Sequence, residues 1–214
     1  RADSPTAVCA GAAGRMSANE EFISKGAQPQ TPLPAGLLQR ARDLGATAAA
    51  ALPARALVVA DYFAAQCAAP HRCPSYGLAP GCPPHSQSPA RFRAELSRYQ
   101  WVLVFRIDVP AADLRTGKRL EVARRIHALA ATLEGEALTF GFARARGLAA
   151  ASRFELYWAD RDRCAVLAEH LPCPHQDRVR PSLSAVGVDF TALTAAVHWP
   201  LAPGGESSSQ PATE

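Results

Sequence analysis

Five of the six cysteines in this 214-residue chain fall into two groups, and clustered thiols bind metals or act in catalysis. The groups are Cys67, Cys73 and Cys82, and Cys164 with Cys173, while Cys9 stands alone near the start. Six cysteines are too few for a disulfide scaffold, which carries more than about 8% cysteine. No leader-like apolar segment opens the chain, so we expect a cytoplasmic protein with reduced cysteines.

The first cysteine group lies in a long loop, residues 64–88, that is rich in proline and glycine. We expect this loop to lack backbone hydrogen bonds of its own, so that a bound metal supplies the missing order. Cys73, Cys82 and Cys173 are each followed directly by proline, as is common in the ligand loops of iron–sulfur proteins. Thiolates select iron–sulfur clusters or zinc over magnesium and calcium. We therefore expect an iron–sulfur cluster, with zinc as the alternative.

Histidines near the cysteines add to the ligand candidates, because zinc accepts mixed cysteine and histidine shells. His85, three residues after Cys82, is the best of them, whereas His127 is expected on the surface of its helix. There is no Cys-x-x-Cys motif, so the spacing alone does not name the metal, and buried free cysteines can also be inert. The predicted ligands are Cys67, Cys73, Cys82, Cys164, Cys173 and His85.

Two motifs far apart in the chain point to a family. The loop reads Cys73-Pro-Ser-Tyr-Gly and then Cys82-Pro-Pro-His85, and a later segment reads Arg180-Pro-Ser-Leu183. From about residue 36 to residue 197 the chain resembles the predicted metal-binding proteins of domain of unknown function 2284, a prokaryotic family. The resemblance implies a metal site and a bacterial origin.

The chain departs from that family in its second cysteine group. Members of the family that the chain resembles usually carry a ferredoxin-like Cys-x-x-Cys-x-x-Cys run before the last cysteine. In this chain, Arg161 and Leu167 occupy the two outer positions of that run. The second group cannot therefore supply four thiolates by itself. Cys73, Cys82, Cys164 and Cys173 together make four, with Cys67 as a fifth or a replacement, and four ligands suit a cubane cluster or a closed zinc site.

Hydrophobic periodicity predicts a mixed fold, α/β or α+β, with one domain and a sheet of about four strands against packed helices. Helices are predicted at 36–51, 88–99, 117–134, 161–170, 181–187 and 189–197, with Ser88 and Asp189 as N-caps. Strands are predicted at 56–63, 101–109, 138–142 and 154–158.

The ends of the chain have low-complexity composition. Residues 1–35 and 203–214 are predicted to be disordered, which leaves 36–202 as the metal-binding domain. Met16 is the only methionine, and we expect it to be the natural start, with residues 1–15 as an upstream extension.

A net charge of +4 is too mild to indicate a nucleic-acid binder, and no apolar run is long enough to cross a membrane. The segment Gly141-Phe-Ala-Arg144-Ala-Arg146-Gly147 has the small and basic residues of an anion contact, although a loop with two solvated arginines is the favoured explanation. Three functions stay open: a redox or accessory iron–sulfur protein with a redox partner, a zinc-stapled binding module, and an enzyme with an open metal site that uses His85 or Asp108.

Overall fold

The computed structural model describes residues 6–14, 35–68, 73–158 and 162–199. Its sheet is built around β3 (Trp101–Asp108), the most hydrophobic strand of the chain. β2 (Ala48–Pro53) pairs antiparallel with β3, whereas β4 (Arg144–Gly147) stands apart from this pair. The backbone of β1 (Thr6–Gly14) pairs antiparallel with both β3 and β4, which gives the order β2-β3-β1-β4.

Eight α-helices and two short 3-10 helices accompany the strands in the described residues. The α-helices are α1 (Ala35–Asp43), α2 (Asp61–Ala65), α3 (Pro89–Leu96), α4 (Ala111–Leu114), α5 (Lys118–Thr139), α6 (Arg153–Tyr157), α7 (Ala165–Ala168) and α8 (Phe190–Ala196). The 3-10 helices are Ala54–Ala56 and Ser184–Val186. None of these helices is long and apolar enough to span a bilayer.

The two faces of β3 bury side chains against different helices, because successive side chains of a strand point to opposite faces. Leu103 and Phe105 pack in one hydrophobic cluster with residues of α1 and α5, including Ile126. Val102 and Val104 pack in a second cluster with Phe92 of α3 and Leu193 of α8. The predicted packing of helices against the sheet is thus observed on both faces.

The mixed helix and strand content is confirmed, in its α+β form, but three of the four predicted strands are wrong. Only the strand predicted at 101–109 forms, as β3. The segment 56–63 enters α2, 138–142 begins with the last turn of α5, and 154–158 contains most of α6. Short apolar runs do not distinguish a strand from a buried helix, and Ser152 starts α6 by accepting a hydrogen bond from the Phe154 N–H.

The helix predicted at 36–51 ends at Asp43, because Gly45 adopts a left-handed conformation with φ of 100° and the chain then forms β2. The helix predicted at 117–134 is confirmed as α5 and runs five residues further, to Thr139. The caps predicted at Ser88 and Asp189 are confirmed, since each side chain accepts a hydrogen bond from a backbone N–H of its helix.

The domain boundaries stay a prediction. Strand β1 falls within the segment 1–35 for which disorder is predicted, so that prediction does not fit residues 6–14. The predicted tail, 203–214, lies outside the described residues.

Candidate metal centre

The cysteine loop is organised by a series of backbone turns. The Cys73 N–H donates to the carbonyl oxygen of Cys67 at 3.1 Å, and the Tyr76 N–H donates to that of Cys73 at 2.9 Å. Further on, the N–H groups of His85 and Ser86 both donate to the carbonyl oxygen of Cys82. The expectation that this loop lacks backbone hydrogen bonds is therefore wrong, because its described residues form a series of hydrogen-bonded turns.

Cys67, Cys73 and Cys82 line one cavity of about 280 Å³. The opposite walls come from the start of α6 and from the segment around the second 3-10 helix. The non-cysteine lining residues that carry a polar side chain are Ser75, Tyr76, Arg119, Ser152, Glu155, Ser182 and Ser184. The structure thus brings the first cysteine group together around one pocket whose wall also contains polar side chains.

Cys82 is the most buried of the three cavity thiols, with 6% of its surface exposed. Its Sγ lies 3.1 Å from the Oγ of Ser152, which also accepts the N–H of Phe154 at 3.1 Å. Burial raises the pKa of the Cys82 thiol, the Ser152 hydrogen bond opposes that rise, and the nearby Cys73 and Cys67 add to it. Without a cation, this thiol keeps its proton.

The Cys67 thiol is also harder to ionise than a free cysteine, because burial and the neighbouring Cys73 raise its pKa. Two thiolates close together repel each other, so neither ionises easily without a positive charge between them. A metal cation supplies that charge and displaces the protons. The donor set of this cavity therefore suits a thiophilic metal.

Cys164 lies beside the cavity rather than in its wall. It is fully buried and packs in one hydrophobic cluster with Cys82, Ala79 and Phe154. Its N–H donates to the carbonyl oxygen of Leu78 at 3.0 Å, so the start of α7 is tied to the cysteine loop. Of the second cysteine group, this thiol is the one adjacent to the first group.

Cys173 and His85 are placed elsewhere. Cys173 is half-buried near Tyr157, whose pKa is raised chiefly by burial, with a smaller contribution from Cys173. His175 stacks on the same tyrosine with ring centroids 4.2 Å apart. His85 is exposed, and neither it nor Asp108 belongs to the described lining of the cavity.

Within the described residues, no three histidine, cysteine or carboxylate side chains already surround a metal position. The chemistry of the three cavity thiols fits a thiolate-bound metal, and to bind it their side chains would have to turn toward one another. Among the described residues between Ala65 and Pro89, no helix or strand resists this adjustment.

Among the polar residues of the cavity that were not identified from the sequence are Arg119 and Glu155. Arg119, at the start of α5, forms an ion pair with Glu155 of α6 at 2.7 Å, and Ser75 donates to the same carboxylate at 3.4 Å. Arg119 and Glu155 are far apart in the chain, and neither lies in a motif. Only the fold brings them to the thiols.

The two sequence motifs meet at this cavity. Ser182, from the Arg180-Pro-Ser segment, lines it together with Cys73 and Cys82 from the loop. Gly81 packs directly on Pro181, since a Cβ at Gly81 would lie 3.3 Å from the Cα of Pro181. A Cβ at position 81 would therefore be in tight contact with the second motif and with the guanidinium group of Arg153, 3.2 Å away.

A family model described as a predicted metal-binding protein, DUF2284, matches residues 50–213. The matched range contains both motifs and every cysteine of the two groups. No curated protein and no solved structure matches the chain significantly.

Proposed function

Since this chain belongs to the DUF2284 family of predicted metal-binding proteins, we propose that the thiols of Cys67, Cys73 and Cys82 hold its metal. We propose further that the metal is an iron–sulfur cluster and that the protein has a redox or accessory role for a partner protein in the cytoplasm. When bound, such a cluster supplies one-electron transfer.

The observation that carries this proposal is the meeting of the two family motifs at one cavity. The loop motif contributes thiols to that cavity and the second motif contributes Ser182. If the thiols only filled the core, they would need no hydroxyl groups, arginine and carboxylate around them. These polar groups in the cavity wall are instead the kind of surrounding that tunes a bound metal, because hydrogen bonds and nearby charges set its affinity and potential.

The surrounding residues have separate tasks in this proposal. Ser152 orients the Cys82 sulfur, since its own position is set by the hydrogen bond from the Phe154 N–H. Cys164 is the fourth thiol, because it packs beside Cys82. The ion pair of Arg119 with Glu155 places a cation and a carboxylate at the pocket wall, where they compensate each other until a charged centre binds.

A zinc staple is the second candidate, and the incomplete ferredoxin-like run favours it. Arg161 and Leu167 stand where the resembling family carries the outer cysteines of its ferredoxin-like run, so the chain has fewer thiols than a ferredoxin-like arrangement uses. Three cavity thiols and Cys164 are enough for a closed tetrahedral zinc site. In that case the zinc ion would crosslink the loop and would not transfer electrons.

Elemental analysis of protein purified without oxygen distinguishes the two candidates. Iron with an equal amount of acid-labile sulfide and a broad visible absorption that bleaches on reduction is the result expected for a cluster. Stoichiometric zinc without sulfide or visible absorption would replace the redox proposal by the zinc staple. Protein that takes up neither metal during reconstitution would contradict both.

A further inference from the structure

A second cavity of about 350 Å³ lies on the outer side of α3, and three of its six lining residues are arginines. Arg91 lines it from α3, and Arg98 lines it from the turn that follows the end of α3, where its N–H donates to the carbonyl oxygen of Glu95 at 3.0 Å. Arg144 of β4 lines the same cavity. Arg144 belongs to the small and basic segment that the metal site does not use.

Glu95 is the acidic residue in the wall of this cavity, and its charge is already compensated. Arg146 donates to both of its carboxylate oxygens, at 2.8 and 2.6 Å. Gln87 donates to one oxygen at 2.9 Å, and the Tyr99 hydroxyl donates to the other at 3.2 Å. Burial alone would raise the pKa of Glu95, but the hydrogen bonds from Gln87 and Arg146 outweigh it and lower that pKa. The carboxylate thus neutralises Arg146 and has no acceptor oxygen left unbound.

Within the described residues, the other three guanidinium groups have no such partner, since the side chains of Arg91, Arg98 and Arg144 form neither an ion pair nor a hydrogen bond with protein there. Arg144 is close enough to Tyr99 for its charge to lower the pKa of that hydroxyl, against the larger rise to about 12 that burial and Glu95 cause. Three unpaired cations around one concave surface repel each other, and a multivalent anion relieves that repulsion.

We propose that this cavity is a binding site for a small anion that carries two or more phosphate groups. Guanidinium groups recognise phosphate by paired N–H donors, and a cavity of this volume falls within the range that encloses a small ligand. Arg91 contacts the anion from α3, Arg98 from the turn after α3, and Arg144 from β4. Glu95 positions Arg146 away from the anion, so the site offers three guanidinium groups and not four. The proposal does not depend on the metal or on its identity.

Inorganic pyrophosphate is the probe, titrated into the purified full chain and followed by calorimetry at low salt. We expect saturable binding of one pyrophosphate per chain, and affinities about tenfold lower for Arg91→Gln, Arg98→Gln and Arg144→Gln, as for the loss of one charged hydrogen-bond partner. Arg115→Gln is the matched control, since it removes an exposed arginine that does not line the cavity. It should leave the affinity unchanged at equal ionic strength.

Three outcomes would overturn the proposal. Equal weakening in Arg115→Gln would show that pyrophosphate responds to net charge alone. Equal binding heats in the wild type and in all cavity variants would show that pyrophosphate acts elsewhere on the protein. One such action is extraction of the metal, which metal analysis of the dialysed sample would reveal. Absence of pyrophosphate binding together with binding of an acidic peptide such as polyglutamate would make the cavity a protein-docking surface.

Discussion

Ser152 joins two roles in one side chain. Its hydroxyl oxygen accepts the first free N–H of α6 and also contacts the Cys82 sulfur, and the residue is 8% exposed. Buried groups that lose a hydrogen-bond partner are more costly than exposed ones. Ser88 has only the capping role, at the exposed start of α3.

We expect Ser152→Ala to lower the free energy of unfolding by about 2 kcal/mol, because it removes a helix cap and leaves a buried N–H without a partner. Ser88→Ala, the matched control, should cost only about 1 kcal/mol. Urea unfolding of both variants measures the difference. Equal losses would mean that burial and the contact with Cys82 contribute nothing to stability.

His127 is the residue for which the sequence prediction was most clearly wrong. It was expected on the surface of its helix, yet it is completely buried in α5, and its Nδ1 accepts the N–H of Arg180 at 3.0 Å. Burial lowers the pKa of His127 to about 4, against the opposing effect of the backbone at Ala151 and Ala150. Helical periodicity alone could not predict this burial, because His127 is a polar residue beside the apolar stripe of its helix. Its hydrogen-bond partner, Arg180, comes from a distant segment of the chain.

The buried histidine predicts a loss of stability in mild acid. Between its ordinary pKa of 6.5 and the value of about 4 in the folded protein, the unfolded chain binds a proton at His127 that the folded chain does not. The free energy of unfolding should therefore fall as the pH is lowered from 7 to 4, by about 3 kcal/mol from this residue.

Chemical denaturation at a series of pH values measures that fall, and His127→Gln is the comparison. Glutamine can still accept the Arg180 N–H through its side-chain oxygen but does not titrate. The variant should lose less stability between pH 7 and pH 4 than the wild type. Parallel pH profiles would show that His127 is not responsible.

At the scale of elements, Gly187 holds together the segment that leads from the second motif into α8. It has φ of 85°, and its carbonyl oxygen accepts the Ala60 N–H at 2.7 Å. A Cβ at this position would lie 2.7 Å from the Ala60 carbonyl oxygen and 2.9 Å from Pro89. Both the backbone conformation and the available space therefore require glycine.

Gly187→Ala should lower the free energy of unfolding by about 3 kcal/mol, from left-handed backbone strain and a steric clash together. Gly141→Ala is the control, since Gly141 has a similar φ of 89° with nothing within 4 Å of its would-be Cβ. The control should cost only the strain, about 1 kcal/mol. Thermal or urea unfolding compares them, and equal losses would mean that the close packing at Gly187 relaxes freely.

Elements with a strong hydrophobic pattern or a clear helix N-cap were predictable from the sequence. The strand β3 is a long hydrophobic run, α5 has a full apolar stripe, and α3 opens with Ser88 and Pro89. The other predicted strands failed because apolar runs of about five residues satisfy either conformation. The strand β2 was missed because alanine, its main residue, favours helix in isolation, and only pairing with β3 selects the extended form.

At the scale of the whole molecule, the sequence predicts which thiols are available but not which of them meet. The first cysteine group is together in one cavity, as its close spacing suggested. The second group is divided, with Cys164 beside Cys82 and Cys173 next to Tyr157. Spacing within a group of residues cannot show how two groups dock, because that depends on the packing of α6, α7 and the loop.

Metal content per chain, measured for four forms of the protein purified without oxygen, tests the central claim most directly. The forms are the wild type, Cys73→Ala, Cys82→Ala and the control Cys173→Ala. We predict a thiolate-bound metal in the wild type and in Cys173→Ala, and its loss in Cys73→Ala and Cys82→Ala, while circular dichroism shows that all four remain folded. Unchanged metal stoichiometry in both Cys73→Ala and Cys82→Ala would contradict the assignment of the metal to this cavity.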